Sequence, residues 1–191
     1  MWTSNIRGLH SNLSDLSIQV ATDKPDIICL TETFLPQDVS DSQVSLPGYS
    51  LHRYDRPEPC PGGRVALFTK DSSSLSMHCP HSPTPPGIPL ATASPPLPPH
   101  VICVLNHPPN SDDSIYNSLS ENMDQLLSSH PNSLFLICGD FNCHHASWLG
   151  VGTSLTCHSN SAKAFCNSLG LTQSVNFPTR ISTNGTPLFW I

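Results

Sequence analysis

The stretch Leu134-Phe135-Leu136-Ile137-Cys138-Gly139-Asp140-Phe141-Asn142-Cys143-His144-His145 constrains this chain more than any other. A short apolar run bounded by polar residues reads as a buried strand. The run breaks at Gly139, and a carboxylate, an amide and two imidazoles follow. Polar groups crowded at the C-terminal end of a buried strand stand where α/β sheets place their sites. There an Asp can bind a cation or take a proton from water, and an Asn can hold a phosphate oxygen.

The design recurs along the chain. Pro25-Asp26 introduces the apolar Ile27-Ile28-Cys29-Leu30, which runs into Thr31-Glu32-Thr33, so a second predicted strand ends on a lone carboxylate. Residues 101–105 form a third apolar run, ending at Asn106-His107-Pro108-Pro109. Asn5-Ile6-Arg7-Gly8-Leu9 is a turn-like exit, and a strand leading into it would be mostly missing, with only four residues before Asn5. Weaker strands are expected over 49–53, 64–69 and 171–176, with a polar loop over 36–48. A helix over 11–22 carries Leu13, Leu16 and Val20 at helical spacing, with Ser11 or Asn12 as cap. The best helix covers 111–130, with Asp112 and Asp113 in its first turn and Ile115, Leu119, Met123, Leu126 and Leu127 on one face. A shorter one over 160–169 stops at Gly170. Strands alternating with helices say α/β.

Composition narrows the partners. A net charge of −6 with only 8 Lys and Arg gives no general pull toward nucleic acid, so any such contact needs a local basic patch. The 8 cysteines include no C-x-x-C pair, and Cys29, Cys103 and Cys138 sit inside apolar runs, where a reduced thiol behaves as a small hydrophobe. No secretory signal or membrane-length apolar run is visible, so the expectation is an intracellular chain with reduced thiols. Nine residues between Pro80 and Pro99 are proline, counting both ends. Proline cannot donate to a sheet ladder and breaks helices, so residues 80–99 are read as an extended, disordered loop. No basic residue flanks a PxxP segment there, which favours a passive loop over a partner ligand.

Asn5, Glu32, Asp140 and Asn142 each follow or end an apparent strand. Two carboxylates and two amides meeting at one sheet end would form a hard-oxygen site suited to Mg²⁺ and to metal-assisted phosphoryl chemistry. Any one of them alone reads more simply as a turn or capping residue, and it is the recurrence of the pattern that points to a site. Cys138, Cys143, His144, His145, Cys157 and His158 match no familiar zinc spacing. Phe135, Phe141, Trp148 and Phe165 are most simply core aromatics.

The ordered set Asn-Ile-Arg-Gly-Leu, Pro-Asp-Ile-Ile-Cys-Leu-Thr-Glu-Thr, Gly-Gly-Arg-Val-Ala, Pro-Pro-Asn-Ser, Gly-Asp-Phe-Asn-Cys-His-His and Phe-Pro-Thr-Arg resembles the endonuclease/exonuclease/phosphatase family. It looks most like the apurinic-endonuclease-like domain of LINE-type, non-LTR retrotransposon polyproteins. The resemblance implies a four-layer α/β sandwich, two packed mixed β-sheets flanked by helices, with residues 1–191 as one domain incomplete at its C-terminus. It implies Mg²⁺-dependent nicking of DNA, with Mn²⁺ as an alternative cation. In an intact element the resemblance implies a covalently linked reverse transcriptase domain and function in the nucleus. Carried over, Glu32 is the principal metal ligand, Asn5 supports the metal, Asp140 orients or deprotonates water, and Asn142 binds the scissile phosphate. His144 and His145 would stand near the site.

This chain departs from the family pattern in several places. Asn106-His107-Pro108-Pro109 stands where the family has Tyr-Arg-Pro-Pro. Phe189 occupies the place of a carboxylate that pairs with the catalytic histidine, and no Ser-Asp-His motif follows. A family strand expected near 80–95 is replaced by prolines. Removing one electrostatic contact to a transition state costs on the order of 10²–10³ in rate, so the expectation is a truncated copy with little or no activity alone. Two rival readings are a non-catalytic interaction module and a phosphatase or phosphodiesterase of the same superfamily.

Overall fold

In a computed structural model of the chain, the described residues are 1–36, 38–54, 64–72, 75–78, 90–93, 100–107, 113–143, 159–175, 180–181 and 187–188. Strands β1 (Trp2–Asn5), β2 (Ile27–Thr31), β3 (Tyr49–Tyr54) and β4 (Val65–Lys70) form one sheet in the order β1-β2-β4-β3. Strands β5 (Leu75–His78), β6 (Leu90–Ala93), β7 (His100–Asn106) and β8 (Leu134–Asp140) form a second in sequence order. A short pair joins β9 (Arg180–Ile181) to β10 (Pro187–Leu188).

Each larger sheet contains one parallel pair, and in each case a helix makes the crossover. Helix α1 (Leu9–Asp23) links β1 to β2, and α2 (Ser114–Ser129) links β7 to β8. The remaining pairings in the two sheets are antiparallel. A third helix, α3 (Ser159–Ser168), packs on α2. No helix among the described residues is long and apolar enough to cross a membrane.

Three buried clusters result from period-two and period-3.6 patterning. Leu9, Leu16 and Val20 of α1 pack on Ile28 and Leu30 of β2 and Phe68 of β4. Leu119, Met123 and Leu126 of α2 and Phe165 of α3 pack on Val101, Cys103 and Leu105 of β7. Between the sheets, Cys29, Val65 and Leu67 meet Ile102 and Val104. Each fully buried Leu or Phe contributes about 1.5–3 kcal/mol by leaving water.

Several expectations are corrected. The stretch 80–99 contains strand β6 at Leu90–Ala93, a proline-free run between Pro89 and Pro95 that pairs with both β5 and β7, and the rest of 80–99 lies outside the described residues. The strand expected over 171–176 does not form over 171–175, and Asn176 lies outside the described residues. The loop expected over 36–48 holds a 3-10 turn, Asp41–Val44, that buries Val44. Helix α1 starts at Leu9, so Asn12 lies inside it and donates its amide back to the carbonyls of Ile6 and Gly8. Strand β1 is present before Asn5 and pairs along its whole length with β2. Strand β8 is not buried on both faces, because it ends the order of its sheet and Leu134 and Leu136 stay 57% and 39% exposed.

Gly139 shows why β8 breaks where it does. It pairs in register with Leu105 at φ +134°, and a Cβ there would overlap the Leu105 carbonyl. Gly139→Ala is expected to destabilise by about 3 kcal/mol or more, measured by urea unfolding, through strain plus a backbone clash. Gly48, at φ +80° with open space around it, is the control: Gly48→Ala should cost only about 1–2 kcal/mol.

Candidate active site

The site is built from the C-terminal ends of the four strands in the two parallel pairs. Cys29 faces the inter-sheet cluster, and so do Ile102 and Val104. Period two then sets Thr31 at the end of β2 and Asn106 at the end of β7 on the same inner face. Asn5 pairs in register with Thr31, and Asp140 with Asn106. Side chains from both sheets therefore converge at one end of the gap.

Asn5 Nδ2 donates to Asp140 Oδ2 at 2.9 Å, across 135 residues of sequence. The backbone N–H of Asn142 donates to Asp140 Oδ1 at 3.2 Å. Asn142 Nδ2 in turn donates to the carbonyl of His107 at 2.8 Å, and the His107 N–H donates to the Asp140 carbonyl at 2.8 Å. Glu32 follows β2, and its carbonyl accepts from the Gly8 N–H at 2.8 Å, which ties the two loops together. Its carboxylate faces Arg7, with Nε 4.0 Å from Oε2. Arg7, Glu32 and Asn142 all hold positive φ, at 49°, 53° and 47°. Backbone strain of this kind persists only where surrounding structure over-determines it, and it gathers at active sites and ligand clamps.

Burial dominates the electrostatics. Asp140 is 2% exposed, and desolvation pushes its pKa from 3.8 up to about 6. The hydrogen bonds from Asn5 and Asn142 oppose that rise, the nearby Glu32 charge adds to it, and Arg7 opposes it. Two buried amide atoms at this corner have no hydrogen-bond partner, Asn5 Oδ1 and Asn106 Nδ2. An orphaned buried acceptor beside a carboxylate such as Glu32 suits a hard cation such as Mg²⁺, which takes oxygen ligands. Among the described residues no three His, Cys, Asp or Glu side chains form a metal cluster, so a cation here would rely on Glu32 and the Asn5 amide.

Of the residues singled out by sequence, Asn5, Asp140 and Asn142 are joined by hydrogen bonds, and Glu32 lies close enough for its charge to act on Asp140. His144 and His145 lie outside the described residues. Sequence reasoning missed three neighbours. Arg7 lines a cavity together with Asn5 and Asp140. His107 is fully buried, meets the Tyr116 ring at a tilt of 51° with centroids 5.3 Å apart, and anchors Asn142 through its backbone. Asn106, noted only as a departure from a pattern, stands beside Asp140. The signal for all three was adjacency to a strand end.

The chain belongs to the endonuclease/exonuclease/phosphatase family, whose pattern matches residues 2–164. A search of curated proteins finds no match. Solved structures resemble it over nearly its full length. The endonuclease domain of TRAS1, a telomere-specific non-LTR retrotransposon, aligns with a TM-score of 0.70 at 13% identity, covering 98% of this chain and 80% of that one. The AP endonuclease LMAP from Leishmania major gives 0.70 at 17%, covering 99% and 75%. The 3'-5' exonuclease NExo from Neisseria meningitidis gives 0.70 at 20%, covering 96% and 78%. At these identities the likeness establishes a shared α/β fold.

A raised carboxylate pKa has a definite consequence for folding. The native state holds the Asp140 proton more tightly than the unfolded chain, so ionisation favours unfolding. Stability of the metal-free protein should fall as pH rises from about 4 to about 6, by on the order of 2–3 kcal/mol, and then level off. Urea unfolding in chelator across that range tests this, and Asp140→Asn should flatten this component of the pH dependence.

Proposed function

We propose that this chain is a divalent-cation-dependent phosphodiesterase that nicks DNA, of the type found at the front of non-LTR retrotransposon polyproteins. The observation that carries the reading is the Asn5–Asp140–Asn142 hydrogen-bonded set at the strand ends, with Glu32 beside it, in a member of this family. Glu32 and Asn5 Oδ1 would hold the cation, which when bound supplies neutralisation of phosphate charge. Asp140 is the base. With a pKa of about 6 it is ionised at neutral pH yet basic enough to take a proton from an attacking water. Asn142 has a second amide N–H beyond the one given to His107, and that hydrogen is available to a phosphate oxygen. Attack of water on phosphorus breaks the bond to the 3'-oxygen, which leaves as a hydroxyl.

Helix-packed clusters on the outer face of each sheet and a shared cluster between the sheets support a four-layer sandwich within one domain over 1–191. The likeness to the TRAS1 endonuclease domain supports the retrotransposon branch, and with it a linked reverse transcriptase and a nuclear role. DNA as substrate gains support from the 3' phosphatase NExo from Neisseria, a variant of which has been solved bound to a product DNA hairpin. His144 and His145 follow the Asn142 corner directly in sequence and are proposed to line its approach.

The test has two arms. Mn²⁺ titration followed by electron paramagnetic resonance should find one site, weakened about tenfold or more in Glu32→Gln. Supercoiled plasmid with Mg²⁺ should be nicked slowly to give 3'-hydroxyl ends, with the rate lowered on the order of 10²-fold or more in Asp140→Ala. A cation site indifferent to Glu32→Gln, nicking indifferent to Asp140→Ala, or preferential hydrolysis of inositol phosphates would overturn the reading.

A further inference from the structure

Two thiols, one from each sheet, belong to the buried cluster behind the site. Cys29 on β2 is fully buried in the inter-sheet cluster, and Cys138 on β8 packs against that cluster. Both are reduced. Cys138 is partly exposed and lines, with Thr3 and Asp140, a cavity of about 950 Å³. Cys29 has no such access. We propose that Cys29 and Cys138 form a peroxide-reactive dithiol, in which Cys138 is oxidised first from the cavity and Cys29 resolves it into a disulfide between the two sheets.

The local chemistry favours that order. Cys29 and Thr3 both act on the acidity of the Cys138 thiol. The Cys29 contact holds the Cys138 thiol below its usual range, burial works against that, and Thr3 adds to the lowering. Cys29 is pushed far up, first by the neighbouring Cys138 and then by burial, so it keeps its proton. Cys138 donates its own proton only to the Cys103 carbonyl, at a long 3.6 Å. Losing that proton therefore breaks one weak bond. A reachable thiolate beside a second cysteine is the arrangement that reacts selectively with peroxide.

The steps balance. The Cys138 thiolate attacks one oxygen of hydrogen peroxide, giving the sulfenic acid and hydroxide, which takes up the proton shed by Cys138. The Cys29 sulfur then attacks the Cys138 sulfur, and the departing hydroxyl leaves as water with the Cys29 proton. Two thiols become one disulfide, and one peroxide becomes two waters. Closure to a bond of about 2.05 Å would tie β8 to β2 across the gap. Asp140 lies two residues beyond Cys138 on the same strand face, so its position shifts with the bond. That consequence for catalysis rests on the proposed function, whereas the thiol chemistry does not.

The experiment treats the reduced full chain with hydrogen peroxide, alkylates the remaining thiols and maps them by mass spectrometry. A Cys29–Cys138 linked peptide is expected, reversed by dithiothreitol. In Cys29→Ser, dimedone should instead trap sulfenic acid at Cys138. Thr3→Val, which leaves both thiols in place, should slow alkylation of Cys138 several-fold in the reduced protein. Peroxide that leaves both residues alkylatable, or links Cys138 to another cysteine, overturns the proposal, as does a Cys138 alkylation rate no faster than that of Cys143. Plasmid nicking by the oxidised form should fall at least tenfold and recover with dithiothreitol. If the link forms and nicking is unchanged, the coupling to Asp140 is wrong. If the reduced chain does not nick at all, only the proposed function fails, since the disulfide is read by mass.

Discussion

The carboxylate of Asp140 is almost wholly removed from water, and the rest of the corner exists to make that tolerable. A carboxylate buried without partners would simply keep its proton. Here Asn5 donates to one oxygen and the Asn142 N–H to the other, so the charged form remains accessible at neutral pH despite the desolvation. The Asn5 bond also crosses from one sheet to the other. The position of β1 against β8 and the basicity of Asp140 are therefore set by the same contact. Anything that widens the gap between the sheets alters both.

Convergence of residues 5, 32, 106 and 140 follows from the two parallel pairs. An antiparallel neighbour delivers its C-terminus to the opposite end of a sheet, whereas a strand–helix–strand unit brings both C-termini to the same end. This chain uses the unit twice, as β1-α1-β2 and as β7-α2-β8, one in each sheet. With residues of β2, β4 and β7 sharing one buried cluster, the four strand ends meet around a single gap. The antiparallel strands β3, β4, β5 and β6 extend the sheets away from these pairs.

Much of this was legible in the residues. Apolar runs ending on Glu32 and Asp140 marked strands and placed their polar termini together, because a buried strand must be apolar and its end need not be. The α2 stripe was legible for the same reason, although Leu127 proved 37% exposed at its margin. What was illegible depended on partners. Leu90–Ala93 is four residues among prolines, and only the ladders to β5 and β7 make it a strand. Residues 171–175 have suitable side chains and no ladder, so they remain irregular. The Leu134–Cys138 run looked buried, yet a strand's neighbours, rather than its own composition, decide how far it is covered. Asn106 and His107 were marked only by adjacency to a strand end, and nothing in a linear pattern distinguishes a polar strand end in a gap from one in solvent.

Strained backbone gathers at this corner, together with a desolvated carboxylate. Arg7, Glu32 and Asn142 occupy the left-handed region without being glycine, Asn5 Oδ1 and Asn106 Nδ2 are buried without partners, and Asp140 is desolvated. Strained backbone and orphaned polar atoms each cost on the order of 1–3 kcal/mol. Their sum is comparable with the roughly 5–15 kcal/mol that holds a domain folded. Among the described residues, only Lys24 and Phe34 carry comparable non-glycine strain elsewhere, and Phe34 follows Glu32 by two residues. A sequence selected for stability alone would place glycine at Glu32 and an apolar residue at Asn106. Polar, strained groups kept together in this way carry a cost that folding alone does not explain.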